Sequence, residues 1–326
     1  MKNSILIVTI ILFSCGEKKS QEIISRPAIK NVSVPPFNSD SAFHFLKKQV
    51  DFGPRVPNSR EHELTGNYLI SKLAEYGGTI TVQNFTATSA DGVKLNLRNI
   101  IGSFHEGKTR RILLAAHWDT RPYADKDSAD MDKPIDGAND GASGVAVLLE
   151  IARVISINTP PDAGIDIILF DGEDWGENML RPSTPLESGL ETWYCLGSQY
   201  WAKNKHKRGY SAYFGILLDM VGAKDSKFFI EGLSYEMAPK IVEKVWQTAS
   251  QLGYSNYFVN QRKGAITDDH EFMNAAGIPS INIVHYDPQY GYFGDYHHTH
   301  RDNLDLIDKN ILEVVGSTVM HVIYYE

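Results

Sequence analysis

Ile165-Asp166-Ile167-Ile168-Leu169-Phe170-Asp171-Gly172-Glu173-Asp174 is a mostly apolar, β-branched run that ends in acid. Apolar runs of this length, bounded by turn residues, read as buried strands. In an open α/β sheet the ligand crevice lies just beyond the carboxyl ends of the strands. The adjacent carboxylates of Glu173 and Asp174 would repel each other there unless a cation lay between them or one carried a proton.

Outward from this strand the pattern alternates. Asp40 to Val50 and Glu61 to Tyr76 have helical spacing, with Phe43, Phe45, Leu46 and Tyr68, Leu69, Leu73 on their core faces, and Gly77-Gly78 stops the second. Thr79 to Thr86 and Leu95 to Ile101 alternate as strands do, and Arg111 to Ala116 reads as a buried strand. Gly141 to Ile155 is helical. A Pro- and Ser-rich loop spans Asn178 to Glu191, and a helix is expected to carry Trp193 to Asn204. Tyr213 to Asp219 and Ser280 to His285 read as further core strands, with one long helix from Ser234 to Leu252 and a closing helix from Asp308 to Tyr324. Strands alternating with helices imply one α/β domain built on a central mixed, largely parallel twisted sheet covered by helices on both faces.

Length and charge narrow the function classes. A chain of 326 residues fits one large α/β domain, and a net charge of −8 with no basic stripe argues against a nucleic-acid partner. Lys203 to Arg208 reads as a solvated helix face. At the N-terminus, Met1 to Ser4 is a short positive region and Ile5 to Phe13 an apolar one, too short for a stop-transfer helix. Leu12-Phe13-Ser14-Cys15-Gly16 resembles a bacterial lipobox, so residues 1–14 are expected to be a lipoprotein signal peptide and Cys15 the lipidated residue. An ordinary signal peptide with an incidental Cys is the alternative. Residues 15–38, with Pro35-Pro36, read as a flexible tether, and 39–326 as the catalytic domain. The expected place is the bacterial cell envelope, lipid-anchored and facing the periplasm. The second of the two cysteines, Cys195, then has no partner and reads as a small buried hydrophobe.

Several core strands end in candidate ligands. Ile112 to Ala116 runs into His117-Trp118-Asp119, Ile165 to Phe170 into Glu173-Asp174, and Phe214 to Leu218 into Asp219. Ile281 to Val284 is followed, after a loop, by His297-His298-Thr299-His300, and Asp140 precedes a helix within a glycine-flanked Asn139-Asp140-Gly141. A lone strand-end Asp is usually a turn former. Five such residues arriving at one sheet edge are a metal-site pattern, and His nitrogen with carboxylate oxygen suits Zn²⁺. Asp140 could serve only as an N-cap, but capping does not require glycines on both sides.

His117-Trp118-Asp119-Thr120-Arg121-Pro122, Asn139-Asp140-Gly141-Ala142-Ser143-Gly144, Phe170-Asp171-Gly172-Glu173-Asp174, Leu217-Leu218-Asp219-Met220-Val221-Gly222-Ala223, Thr267-Asp268-Asp269-His270 and His298-Thr299-His300-Arg301-Asp302-Asn303 together resemble a zinc-dependent glutaminyl cyclase, in its bacterial branch. Such enzymes share their fold with co-catalytic zinc aminopeptidases. The resemblance implies Asp140, Asp174 and His298 as ligands of one Zn²⁺ per chain, and Glu173 as general acid/base. It implies Asp219 and Asp268 as acids of an active-site hydrogen-bond network. His117 corresponds to a histidine that binds a second zinc in the aminopeptidases and no metal in the cyclases. The implied substrates are N-terminal Gln peptides or exported proteins, cyclised to pyroglutamate with loss of ammonia. Trp118, Trp193, Phe293 and His297 are candidate substrate walls, with Trp175 also near the motifs; core packing is the alternative for the aromatic residues.

Two positions depart from the animal cyclases. Asp174 stands where they carry the longer Glu, and His297 where they carry Trp. His297 or His300 is an alternative ligand to His298. His117, Asp140, Asp174, Asp219 and His298 also form a complete dizinc aminopeptidase set, with Glu173 activating water. Asp268 before the Asp269-His270 pair, Trp118 after His117, and Gly222-Ala223 after Asp219 tilt the reading to the cyclase. A third reading is a non-catalytic binding lipoprotein, but no ligand or base is missing. Oligomeric state is not legible.

Overall fold

The computed structural model describes residues 32–179 and 181–326. Cys15, the signal peptide and most of the tether lie outside the described residues. Helix α1 (Ser39–Asp51) starts where Asn38 Oδ1 accepts the Ser41 N–H, and α2 (Arg60–Glu75) where Ser59 caps His62. Phe37 is already buried and would meet any side chain added at Gly316, so packed chain begins before α1, inside the segment read as tether. Val34 to Glu326 forms one compact unit.

Strands β1 (Thr79–Thr88), β2 (Lys94–Phe104), β3 (Arg111–His117), β4 (Gly164–Phe170), β5 (Phe214–Asp219) and β8 (Ser280–Val284) form one sheet in the order β1-β2-β4-β3-β5-β8. The β1–β2 and β2–β4 pairs are antiparallel, and β4, β3, β5 and β8 run parallel. The sheet is therefore mixed and largely parallel. Parallel strands need crossovers, and these put helices on both faces. On β3, Leu113 and Ala115 share a core with Trp201 and Met273 from α4 (Leu196–Lys203) and α7 (Asp269–Ala275). Residues of opposite parity face α3 (Ala142–Ile157), where Gly144 lies over Ala116. Helix α3 is nearly all buried, and it packs against α1 and α8 (Lys309–Tyr324) as well as the sheet.

The expected long helix from Ser234 to Leu252 is two helices, α5 (Gly232–Met237) and α6 (Pro239–Gln251). Pro239 occupies the first turn of α6, and Ala238 leaves helical geometry with φ −139° and ψ 52°, because a residue before proline is pushed out of the α region. The helix expected from Trp193 starts only at Leu196, since Cys195 adopts left-handed φ 58°. A short parallel pair, β6 (Phe228–Ile230) with β7 (Phe258–Arg262), and helix α7 were not expected.

The candidate active site

The carboxyl ends of β4, β3 and β5 lie side by side, with His117 paired to Phe170 in register. Here the chain leaves the sheet in turns that are themselves fixed by a carboxylate. Asp119 Oδ1 accepts the Glu173 N–H and its Oδ2 the Asp174 N–H, both at 3.1 Å. Arg121 donates to the carbonyls of Asp174 and Trp175 and pairs with buried Asp125 at 2.7 Å. The backbone of the two acids that end the opening stretch is thus fixed, and the side chains of both line the cleft.

Asp140 is not an N-cap. Gly141 holds that place at φ 91° with no side-chain cap bond. Asp302 instead receives the N–H groups of Asn139 and Asp140, at 2.6 and 3.0 Å, and turns the Asp140 carboxylate into the cleft. His298 sits at φ 60° and Met220 at φ 49°, so two more residues with a β-carbon adopt the left-handed region around the same cleft. Such backbone persists only where surrounding structure over-determines it, and it gathers at functional sites.

His298 Nε2 lies 3.0 Å from Asp174 Oδ1 and 3.8 Å from Asp140 Oδ2, while His297 Nε2 is 3.7 Å from Asp140 Oδ2. Asp140 Oδ2 and Asp174 Oδ2 are buried with no hydrogen-bond partner. Buried, unpaired carboxylate oxygens around an imidazole nitrogen are costly unless a cation satisfies them, and this donor set fits Zn²⁺. His300, by contrast, pairs with Asp127 at 3.1 Å, away from this group. His117 Nε2 is 3.0 Å from Asp140 Oδ1 and 3.2 Å from Asp219 Oδ1.

The electrostatics follow from packing so many acids together. Burial lifts Asp174 to about 6, against the pull of Arg121 and His117. Burial, then the charge of Asp219, pushes Asp268 up to about 7. Glu173 is driven well above the usual carboxylate range by burial and by its acidic neighbours Asp268 and Asp174. Burial holds His298 and His297 well below the usual imidazole range, which leaves neutral rings with lone pairs to donate. His117 goes the other way: burial opposes its charge, but Asp119, Asp140 and Asp219 hold it well above that range.

A cleft of about 280 Å³ opens over these groups. Glu173, Asp174, Asp140, Asp219, Asp268 and His298 line it, with Phe293 and His297 on its wall. Trp118 does not reach it. The ring is fully buried, stacked on His62 at 4.3 Å between ring centres, and its Nε1 donates to Arg98 O. Trp193 is buried but absent from the lining, and Trp175 is tied to Asp91. The walls that sequence reading missed are Tyr194, Tyr292, Met179 and Lys126. Tyr194 is the immediate neighbour of Trp193, so the aromatic signal was one residue out of place.

With the geometry in place, the chain's relatives are legible. The profile of Peptidase family M28 matches residues 99–323, and the chain belongs to that family. A glutaminyl cyclase of Bacteroides thetaiotaomicron, solved with bound N-acetylhistamine, is 50% identical, with 90% of this chain and 100% of that one aligned at a TM-score of 0.85. A Zn-dependent exopeptidase of Parabacteroides distasonis is 48% identical, covering 90% of this chain and 99% of that one at a TM-score of 0.85. The glutaminyl-peptide cyclotransferase of Drosophila melanogaster is 24% identical over 281 residues, 78% of this chain and 72% of that protein.

Proposed function

We propose that the chain is a zinc-dependent glutaminyl-peptide cyclotransferase acting on peptides and proteins with N-terminal Gln. The observation that carries this reading is Asp268. It shares the cleft with Glu173 and Asp219, lies within 4.8 Å of Glu173 by ligand atoms, and titrates near 7. A third acid able to hold or release a proton beside Glu173 suits a reaction that moves protons between two nitrogens. Asp140, Asp174 and His298 would hold one Zn²⁺, which supplies Lewis-acid polarisation of the side-chain amide oxygen. Glu173 takes a proton from the α-amine as its nitrogen bonds to the amide carbon. It returns that proton to the departing nitrogen as the old C–N bond breaks, and ammonia leaves. Phe293, Tyr292 and Tyr194 wall the cleft and fold the Gln side chain toward its own amine, a gain of proximity rather than of new chemistry.

One observation favours a second reading. His117, Asp140 and Asp219 bring their ligand atoms within 4.8 Å of one another, as a second metal site would. His117 Nε2, 3.0 Å from Asp140 Oδ1 and 3.2 Å from Asp219 Oδ1, can instead tie these carboxylates together beside a single metal. The test is one assay with two substrates. Ammonia and cyclised product from an N-terminal Gln peptide support the cyclase, whereas free leucine from an N-terminal Leu peptide and two bound zincs support an aminopeptidase. We further propose that Cys15 carries a lipid anchor and holds the enzyme in the cell envelope on the periplasmic side, where exported proteins with N-terminal Gln would reach it.

A further inference from the structure

Cys195 does not line the cleft, yet it grips the residue that moves the proton. Its thiol lies 3.2 Å from Glu173 Oε1. Its backbone N–H donates to Glu173 O at 3.0 Å, and the Leu196 N–H donates to Gly172 O at 3.0 Å. With Asp119 accepting the Glu173 N–H, this acid is held at its amide, its carbonyl and its carboxyl. Cys195 does so from a backbone geometry of φ 58° and ψ 32°, where glycine is the default and a β-carbon is strained. The thiol does not cap α4, which starts there without a side-chain cap bond. A small hydrophobe kept only for packing explains neither the strain nor the sulfur–carboxyl contact.

We infer that Cys195 is a positioning residue whose S–H donates to Glu173 Oε1 and turns Oε2 toward the reacting amine and amide. The inference rests on Glu173 as the acid/base of the proposed reaction. No bond to sulfur forms or breaks; the travelling proton stays on Glu173 and the substrate nitrogens. Burial, then the charge of Glu173, holds the thiol's own pKa well above its ordinary value, so the group remains a donor throughout. An S–H is a weak donor, and its worth lies in fixing a carboxyl that must face two nitrogens in turn.

The experiment compares zinc-loaded Cys195→Gly and Cys195→Ser with wild type. Glycine suits the left-handed backbone and removes the donor, and serine keeps one. The expected result is stoichiometric zinc in both. In the glycine variant kcat on a Gln peptide falls roughly 5- to 10-fold with KM unchanged, and serine restores kcat to within about twofold. Wild-type kcat in the glycine variant overturns the inference, and so does an equal loss in both variants, which would mark a packing role. If the glycine variant misfolds, Cys195→Ala against Cys195→Ser decides the same question. If wild type releases leucine and makes no pyroglutamate, the cyclase reading fails separately. The same variants are then scored on the Leu peptide, because Glu173 is the base in either reaction.

Discussion

At the residue scale, the division of labour at Glu173 and Asp174 is the point most open to experiment. Glu173→Gln keeps the size of the side chain and removes its proton exchange. Turnover should fall at least about 100-fold with zinc content unchanged, and equal activity would remove Glu173 from its role. Asp140→Ala should release zinc, read by metal analysis after dialysis. Asp174 must lose its proton before it can bind a cation, and in the folded chain it does so at about 6. Zinc affinity should therefore weaken as pH falls below 6, about tenfold per pH unit for one displaced proton, and level off above it. A competition titration from pH 5 to 8 checks the sign. Glu173 and Asp174 were legible in the sequence because they follow an apolar strand, and Asp140 because it lies in a glycine-flanked turn before a helix. Trp118 was misjudged because neighbours at a strand end point to opposite faces: His117 turns to the site, and Trp118 turns under it onto His62.

Elements deliver these residues through close approach, and glycine makes the approach possible. A β-carbon at Gly144 would stand 2.2 Å from Leu218 O, so α3 could not lie against β5 with any other residue there. Gly141 combines φ 91° with a β-carbon position 2.8 Å from Asp119 O. Gly141→Ala should cost on the order of 2 to 4 kcal/mol and loosen the Asp140 ligand, lowering both the denaturation midpoint and the zinc content. Long, strongly patterned elements such as α3, β3 and β4 were readable within two residues of their ends. The elements missed were short: β6 has three residues and β7 five, and their pairing partners are set by tertiary contact rather than by local periodicity. The division into α5 and α6 was written in the sequence as Pro239, a stop signal inside an otherwise helical pattern.

At the scale of the whole molecule, the catalytic unit carries its own core, and among the described residues no helix is long and apolar enough to cross a membrane. If Cys15 is acylated, Cys15→Ala should abolish incorporation of labelled fatty acid and move the enzyme from the membrane to the soluble fraction with kcat unchanged. The general fold was legible because alternating strands and helices admit few topologies. The cleft walls were not, because Tyr194, Tyr292 and Met179 stand on loops that only the finished fold positions. On the floor of the cleft, by contrast, one carboxylate fixes two residues: Asp119 holds the amides of both Glu173 and Asp174. In the proposed reading, the proton carrier and the metal ligand thus both hang on the side chain of Asp119. A lineage, natural or in the laboratory, that retunes one of them through this turn will drag the other along, and substitutions at Asp119 should lower turnover and zinc affinity in step.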